Sequence, residues 1–302
     1  MLSHEDWKGN TGGTTWMQRT LIGFVGFVGI RLNYLIMGLF VAPLYMLFNH
    51  KGYTSIYHYF RRRHGFGWWK SFRCTYLNHY RFGQIIIDRF AAYAGCKFQF
   101  ELEGNDVFLD LMSGDEGVII LSSHVGNYEL AGYSFAATEK RYNAVVFSGE
   151  TKTVMENRNR MLSKNNIKMI PVSEDMSHVF LMNAALADGE AVSIPGDRIF
   201  GSRKHVVCDF MGGQASFPLG PFSLAVQREA PTMAIFVMKE SAYKYHVFIR
   251  RIAADDAAHL DKKTKISGMA QAFAKELEDI LLQYPEQWFN YYEFWYDKSN
   301  QS

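Results

Sequence analysis

Cysteine is scarce in this 302-residue chain: Cys74, Cys96 and Cys208 lie far apart and cannot all pair with one another. They form neither a CxxC pair nor a Cys/His zinc spacing, so a disulfide framework or a zinc module is not expected and buried thiols in a reducing compartment are. Net charge is equally scarce. Lys and Arg total 32 against 30 Asp and Glu, a formal charge of +2, which gives no general attraction for nucleic acid; any charged partner must be met by a local patch. HExxH is absent and no metal or cofactor is expected. No internal repeat, low-complexity tract or interdomain linker divides the chain.

What the chain does have is apolar and aromatic side chains, 48% and 16% of residues. That is enough for one sizeable core, and the length suggests one domain over 51–302 with an N-terminal appendage over 1–50. Leu21 to Phe48 is almost wholly apolar, interrupted by Arg31 and Asn33, with Pro43 as its one internal helix breaker. A transmembrane helix wants about 20 apolar residues, so this segment either spans a bilayer or lies in one leaflet. It has no clear small-x-small cleavage site, which argues against a removable signal. Directly after it, Lys51, Arg61, Arg62, Arg63, Lys70 and Arg73 alternate with Tyr57, Tyr59, Trp68 and Trp69. Trp and Tyr bridge hydrocarbon and headgroup while Arg and Lys reach outward, so a membrane surface is the expected partner. The alternative is a helical hairpin with aromatic packing and a solvated charged face.

The remainder alternates between the two periods. Residues 71–94 read as a helix, with Phe82, Ile85, Ile86, Arg89, Phe90 and Tyr93 recurring at helical spacing. FQFELEG from Phe98 alternates like a strand. GVIILSSHVGNYELAGYSFAATEKRYNAVVF reads as a buried strand, a polar turn, a helix and a second strand. Leu181 to Ala187 is a short helix followed by the strand AVSIP; PLGPFSLAVQREAPTMAIFVMKE adds a helix and a strand, and KYHVFIRRI another strand. Lys262 to Leu282 reads as a long helix with Met269, Phe273, Leu277 and Ile280 on one face. Strands separated by short helices predict an α/β fold, a central mixed sheet flanked by helices.

Chemistry concentrates at Ser122-Ser123-His124-Val125-Gly126-Asn127-Tyr128-Glu129, which ends the buried run Val118 to Leu121 and opens a helix. His124 thus sits near the carboxyl end of a strand, where open α/β sheets place ligands. With Glu129 about one turn along the following helix, its carboxylate can fold back to the imidazole. A carboxylate-oriented His is a general base: its pKa is near neutrality, and the carboxylate fixes the tautomer and supports the imidazolium. Ser122 and Ser123 do not lie in a G-x-S-x-G elbow and belong to the strand end.

The run SSHVGNYE resembles the H-x4-D/E block of the bacterial lipid A biosynthesis acyltransferases, late acyltransferases that move a fatty acyl chain from acyl carrier protein onto a lipid hydroxyl. LADGEAVSIPGDRIFG and FMGGQASFPLGPFSLAVQREAPTMAIFV are similar to the family's second and third conserved regions, YPEQWFNYY to its closing segment, and the apolar N-terminal helix to its membrane anchor. The resemblance covers most of the chain in the same order. It implies an acyltransferase domain over 51–302 at the cytoplasmic face of the inner membrane. His124 would be the base and Glu129 its orienting carboxylate, with Asn127 and Gly126 shaping the turn and Asn127 also near substrate. Asp197 and Arg198 would serve substrate, Arg198 through its planar fork, as would Arg158 and Arg160. Gly212, Gly213 and Gly220 would allow close backbone approach or serve simple turn geometry. The donor would be an acyl thioester on acyl carrier protein or coenzyme A, a co-substrate rather than a cofactor.

The chain departs from the family where a Pro-Phe-Phe-Gly stretch and Ala-x-Thr are usual: it carries Asp209-Phe210-Met211-Gly212-Gly213 and Ala215-Ser216-Phe217. The acceptor therefore stays open between a lipid A precursor, a lysophospholipid, an amino-acid lipid and a pigment lipid. Two other readings share the residues: a hydrolase in which His124 activates water, and a membrane scaffold in which His124 is a hydrogen-bonded turn residue.

Overall fold

A computed structural model describes residues 28–130, 140–147, 167–172, 175–199, 204–253 and 261–295, together with Gly23 and Asn159. Its strands are β1 (Gln99–Glu103), β2 (Val118–Ser122), β3 (Tyr142–Phe147), β4 (Ile167–Val172), β5 (Ala191–Pro195), β6 (His205–Phe210), β7 (Gly213–Pro218), β8 (Thr232–Lys239) and β9 (Lys244–Arg251). Seven form one sheet in the order β1-β9-β8-β2-β5-β3-β4, and β6 and β7 pair as a separate antiparallel hairpin. From β8 to β4 the strands are parallel; β9 runs antiparallel to β8, and β1 parallel to β9. The fold is α/β with a mixed central sheet flanked by helices, as the alternating periods predicted.

The continuous apolar run of β2 follows from its central place, covered on both faces. Val118 and Ile120 pack with Met233, Val237 and Tyr245 on one side, while Ile119 and Leu121 pack with Val192, Phe236 and Phe273 on the other. Helix α4 (Asn105–Ser113) contributes Phe108, Leu111 and Met112 to the first layer. The second layer holds α5 (Ser177–Ala187), α6 (Leu219–Arg228) and α7 (Lys262–Gln283), the last through Met269, Phe273, Leu277 and Ile280, the stripe read from sequence. Asp261 caps α7 by accepting the Thr264 N–H at 2.7 Å.

The N-terminal part is helical. Helix α1 (Ile30–Phe48) is 19 residues long, long and apolar enough to cross a membrane, and only 22% of its most apolar window is buried against the protein. Pro43 does not end it. A π-turn at Met37–Val41 lies just before the proline and absorbs the missing N–H and the ring's bulk. Asn33 donates to the Gly29 carbonyl at 2.8 Å, which satisfies a polar side chain in an apolar segment. After α2 (His50–His58) and a second π-turn at Tyr59–Arg63, α3 (Trp68–Tyr93) carries α1 along its flank. The two helices come close because Gly83 offers no Cβ where the Met37 sulfur sits. Tyr76 also donates to the Gly38 carbonyl at 2.9 Å.

Candidate active site

His124 and Asp197 meet because of strand register. β2 and β5 are adjacent and parallel with Ser122 opposite Pro195, so each residue lies two positions past its strand's paired end. Gly196 N–H donates to the Ser122 carbonyl at 2.8 Å and carries the pairing one step further. His124 Nδ1 is 2.8 Å from Asp197 Oδ1, and Asp197 Oδ2 accepts the His124 backbone N–H at 2.7 Å. Asp197 is buried, while the His124 side chain keeps 23% of its surface. A carboxylate at Nδ1 places the ring proton there and leaves Nε2 as the basic nitrogen.

The turn behind His124 is held from three sides. Gly126 has a φ of +54°, and a Cβ there would lie 2.0 Å from the Val237 carbonyl oxygen, so both backbone conformation and space require glycine. Gly126 N–H donates to Gln287 O at 2.9 Å, Asn127 N–H to Val237 O at 2.7 Å, and Phe289 N–H to His124 O at 2.9 Å. The closing segment around Gln287 to Phe289 thus acts as a short extra strand against the turn, with Val125 bridged to Trp288. Asn78 of α3 fixes that segment by donating to Trp288 O at 2.7 Å. The backbone amides of His124, Gly126 and Asn127 are all committed to these bonds.

Glu129 sits elsewhere in the arrangement than sequence reasoning expected. Its Oε2 lies 2.7 Å from Arg89 Nε of α3, an ion pair with both side chains largely buried, and the carboxylate found at His124 Nδ1 is Asp197. Spacing along one chain favoured the local partner, whereas strand register supplied one 73 residues away. Asn127, expected near substrate, is buried and donates through Nδ2 to the Tyr245 hydroxyl at 3.1 Å. Arg198 donates through Nη2 to Phe289 O at 2.6 Å, and its guanidinium lies 5.9 Å from the Tyr292 ring centre. Arg158 and Arg160 lie outside the described residues.

The electrostatics agree with this geometry. Burial depresses the His124 pKa below its ordinary 6.5 and the Arg198 charge lowers it further, with Asp197 opposing both. Burial alone would raise Asp197, but the His124 charge, its hydrogen bonds and Arg198 outweigh it and hold the carboxyl below 3.8. At neutral pH the pair is a neutral imidazole on a carboxylate. His124 and Tyr128 rings meet edge to face at 5.8 Å.

Two further residues of the sequence gain a place here. Arg89 stood in the apolar stripe of the predicted helix, and a charge on a buried face is the signal of a specific partner. Phe217, at the position where the family usually carries threonine, is fully buried among Phe210, Phe273 and Phe294, so this departure is one of core packing. Gly212 turns between β6 and β7 with φ +71°, and Gly213 leaves room for the Arg63 guanidinium, which also lies 4.5 Å from the Trp295 ring centre. Among the described residues, no group of three or more His, Cys, Asp or Glu side chains could hold a metal ion.

A carboxylate-held imidazole at the carboxyl ends of parallel strands in an α/β fold is an arrangement suited to proton transfer. The chain belongs to the bacterial lipid A biosynthesis acyltransferase family, whose model matches residues 83–295. That stretch contains His124, Glu129, Asp197, Arg198 and the closing segment. Comparison with curated proteins returns no match.

Proposed function

We propose that this protein transfers a fatty acyl group from an acyl thioester, carried by acyl carrier protein, to a hydroxyl of a lipid A precursor or closely related membrane glycolipid. The observation that carries the reading is the His124–Asp197 pair inside the family-matched region. His124 Nε2 removes the acceptor hydroxyl proton as the oxygen attacks the thioester carbonyl. The tetrahedral intermediate collapses with cleavage of the C–S bond, and the imidazolium returns its proton to the departing thiolate. Asp197 holds the tautomer and supports the imidazolium. Because three turn amides are committed, Arg198 is the favoured group for the oxyanion or for an acceptor phosphate. Glu129 shapes the loop through Arg89. The scheme needs no metal or cofactor.

The enzyme works at the cytoplasmic face of the inner membrane with α1 in the bilayer. The support is the outward face of α1, where Leu39, Phe40, Leu44, Leu47 and Phe48 are exposed, continued by exposed Trp68 and Trp69. Arg61 and Arg62 lie exposed beside this apolar surface and suit an acidic carrier protein or anionic lipid. A lysophospholipid or amino-acid lipid as acceptor would use the same base.

The test follows radiolabelled acyl transfer from acyl carrier protein into total bacterial membrane lipid, with the product identified by mass, for the intact protein and His124→Ala. Labelled glycolipid that vanishes in a folded His124→Ala supports the reading. Label appearing only as free fatty acid points to a hydrolase, and undiminished transfer by the variant removes His124 from the chemistry.

A further inference from the structure

Behind the site, side chains from four elements meet at one buried carboxylate. Asp88 of α3 and Lys239 at the end of β8 form an ion pair whose side chains are both fully buried. Asp88 Oδ2 accepts from the Lys239 ammonium and the Tyr245 hydroxyl, and Oδ1 accepts from the Tyr34 hydroxyl of α1. The Lys239 ammonium also lies 5.0 Å from the Tyr34 ring centre and 4.8 Å from that of Tyr245.

Two routes lead from this hub to the catalytic turn. Tyr245 accepts the Asn127 side-chain amide at 3.1 Å, and Asn127 is three residues from His124. Lys239 is gripped through its backbone by the Gln287 side chain, N–H to Oε1 at 2.8 Å and Nε2 to the carbonyl at 2.9 Å, and Gln287 O receives the Gly126 N–H. A buried ion pair is a poor source of stability, since desolvation offsets its attraction. With donors on both carboxylate oxygens, the hub instead fixes one geometry. The geometry it fixes here is that of the turn carrying His124, and the donor that completes it comes from the helix facing the bilayer.

We propose that Asp88 is a positioning residue that couples the docking of α1, through Tyr34, to the catalytic turn, through Tyr245 and Asn127. This rests on the acyltransferase reading above. Seating α1 against α3 places the Tyr34 hydroxyl on Asp88; without it Oδ1 loses its donor and the carboxylate can swing from Tyr245, releasing the Asn127 amide. The turn then samples conformers in which His124 Nε2 is misplaced for proton transfer, which lowers kcat while thioester binding is untouched.

The test uses the full chain in phospholipid vesicles with labelled acyl-acyl carrier protein and the membrane-lipid acceptor pool. Tyr34→Phe and Tyr245→Phe each remove one hydroxyl and no volume of consequence. Each is expected to lower kcat about tenfold with KM for the acyl carrier protein unchanged, per folded molecule. Combined with Asp88→Asn, neither adds to the loss, because all three break one network. If Asp88→Asn does not fold, the two tyrosine variants decide. A lower melting temperature with unchanged kcat, or losses that add fully, overturns the coupling and leaves a merely structural network. His124→Ala without transfer while both tyrosine variants keep full kcat sinks this inference alone; transfer retained by His124→Ala sinks the underlying reading and this inference with it.

Discussion

Asp197 grips His124 at two points, one oxygen on the ring nitrogen at 2.8 Å and the other on the backbone N–H at 2.7 Å, so that side chain and main chain of the histidine are fixed by a single buried carboxylate. A side-chain contact alone would leave the ring free to follow backbone motion of the loop. The double contact ties ring orientation to the ends of the paired strands β2 and β5.

Asp197→Asn keeps the shape of this contact and removes the charge. The amide can present its N–H to Nδ1, which stabilises the wrong tautomer, and it no longer supports the imidazolium. Turnover is expected to fall about a hundred- to ten-thousandfold with little change in KM. Steady-state kinetics on folded variant checks this, and a loss smaller than that of Glu129→Gln would move the orienting role to Glu129.

The pH dependence carries a sign that separates Arg198 from Asp197. His124 acts as a base only when neutral, so kcat/KM falls as pH drops through its pKa, and burial and Arg198 place that limb below 6.5. Removing the cation in Arg198→Gln lets the His124 pKa climb, and the acid limb moves to higher pH. Asp197→Asn removes the one influence that raises it, and the limb moves to lower pH. Profiles of kcat/KM for the three proteins decide; an unmoved limb in Arg198→Gln would dissociate that charge from the base.

Arg89 and Glu129 join α3 to the start of the helix after the turn at 2.7 Å, with side chains 20% and 9% exposed. Breaking such a pair leaves the partner's charge without compensation. Arg89→Met or Glu129→Gln alone is expected to cost about 2 kcal/mol of unfolding free energy after allowance for solvent, and the double variant less than the sum. Chemical denaturation of the four proteins gives the coupling energy; full additivity would show that the pair contributes nothing.

Much of this was legible beforehand. The buried run of β2, the helix stripe of α7 and the placement of His124 past a strand end follow from apolar periodicity, because a strand covered on both faces and an amphipathic helix have no other way to read. The partner of His124 did not follow. Asp197 and His124 become neighbours only once β5 lies beside β2, and nothing in a spacing along the chain reports strand order. The β6–β7 hairpin was readable and passed over: HVVCDF alternates exposed and buried residues, and Met211-Gly212 supplies the turn. Asp88 was hidden for the opposite reason. A charged residue on a long helix usually faces water, and its burial depends on Lys239, 151 residues later.

Membrane binding should reside in α1 and the aromatic pair that follows it. Leu47 and Phe48 are 76% and 85% exposed, and burying each in hydrocarbon contributes about 1.5–3 kcal/mol. Changing Leu39, Phe40, Leu47 and Phe48 together to serine is expected to shift the protein from the vesicle pellet to the supernatant in co-sedimentation, with the sheet domain's melting unchanged. Continued co-sedimentation at high salt would place the anchor elsewhere.

Gly126→Ala tests whether the turn tolerates any relaxation. The methyl group meets the Val237 carbonyl oxygen at 2.0 Å, and φ at +54° strains any L side chain there. Relief requires moving β8's end or the turn, and both are tied: Asn127 N–H binds the same carbonyl, and Gly126 N–H binds Gln287. A shift that frees the methyl therefore costs at least one of these bonds in addition to the strain, about 3 kcal/mol or more together. The same shift carries His124 away from Asp197, so activity should fall even where the variant stays folded. Circular dichroism melting read alongside acyl transfer checks both effects; a stable, fully active Gly126→Ala would mean the turn adapts without cost and the three-sided clamp around it does not set the position of His124.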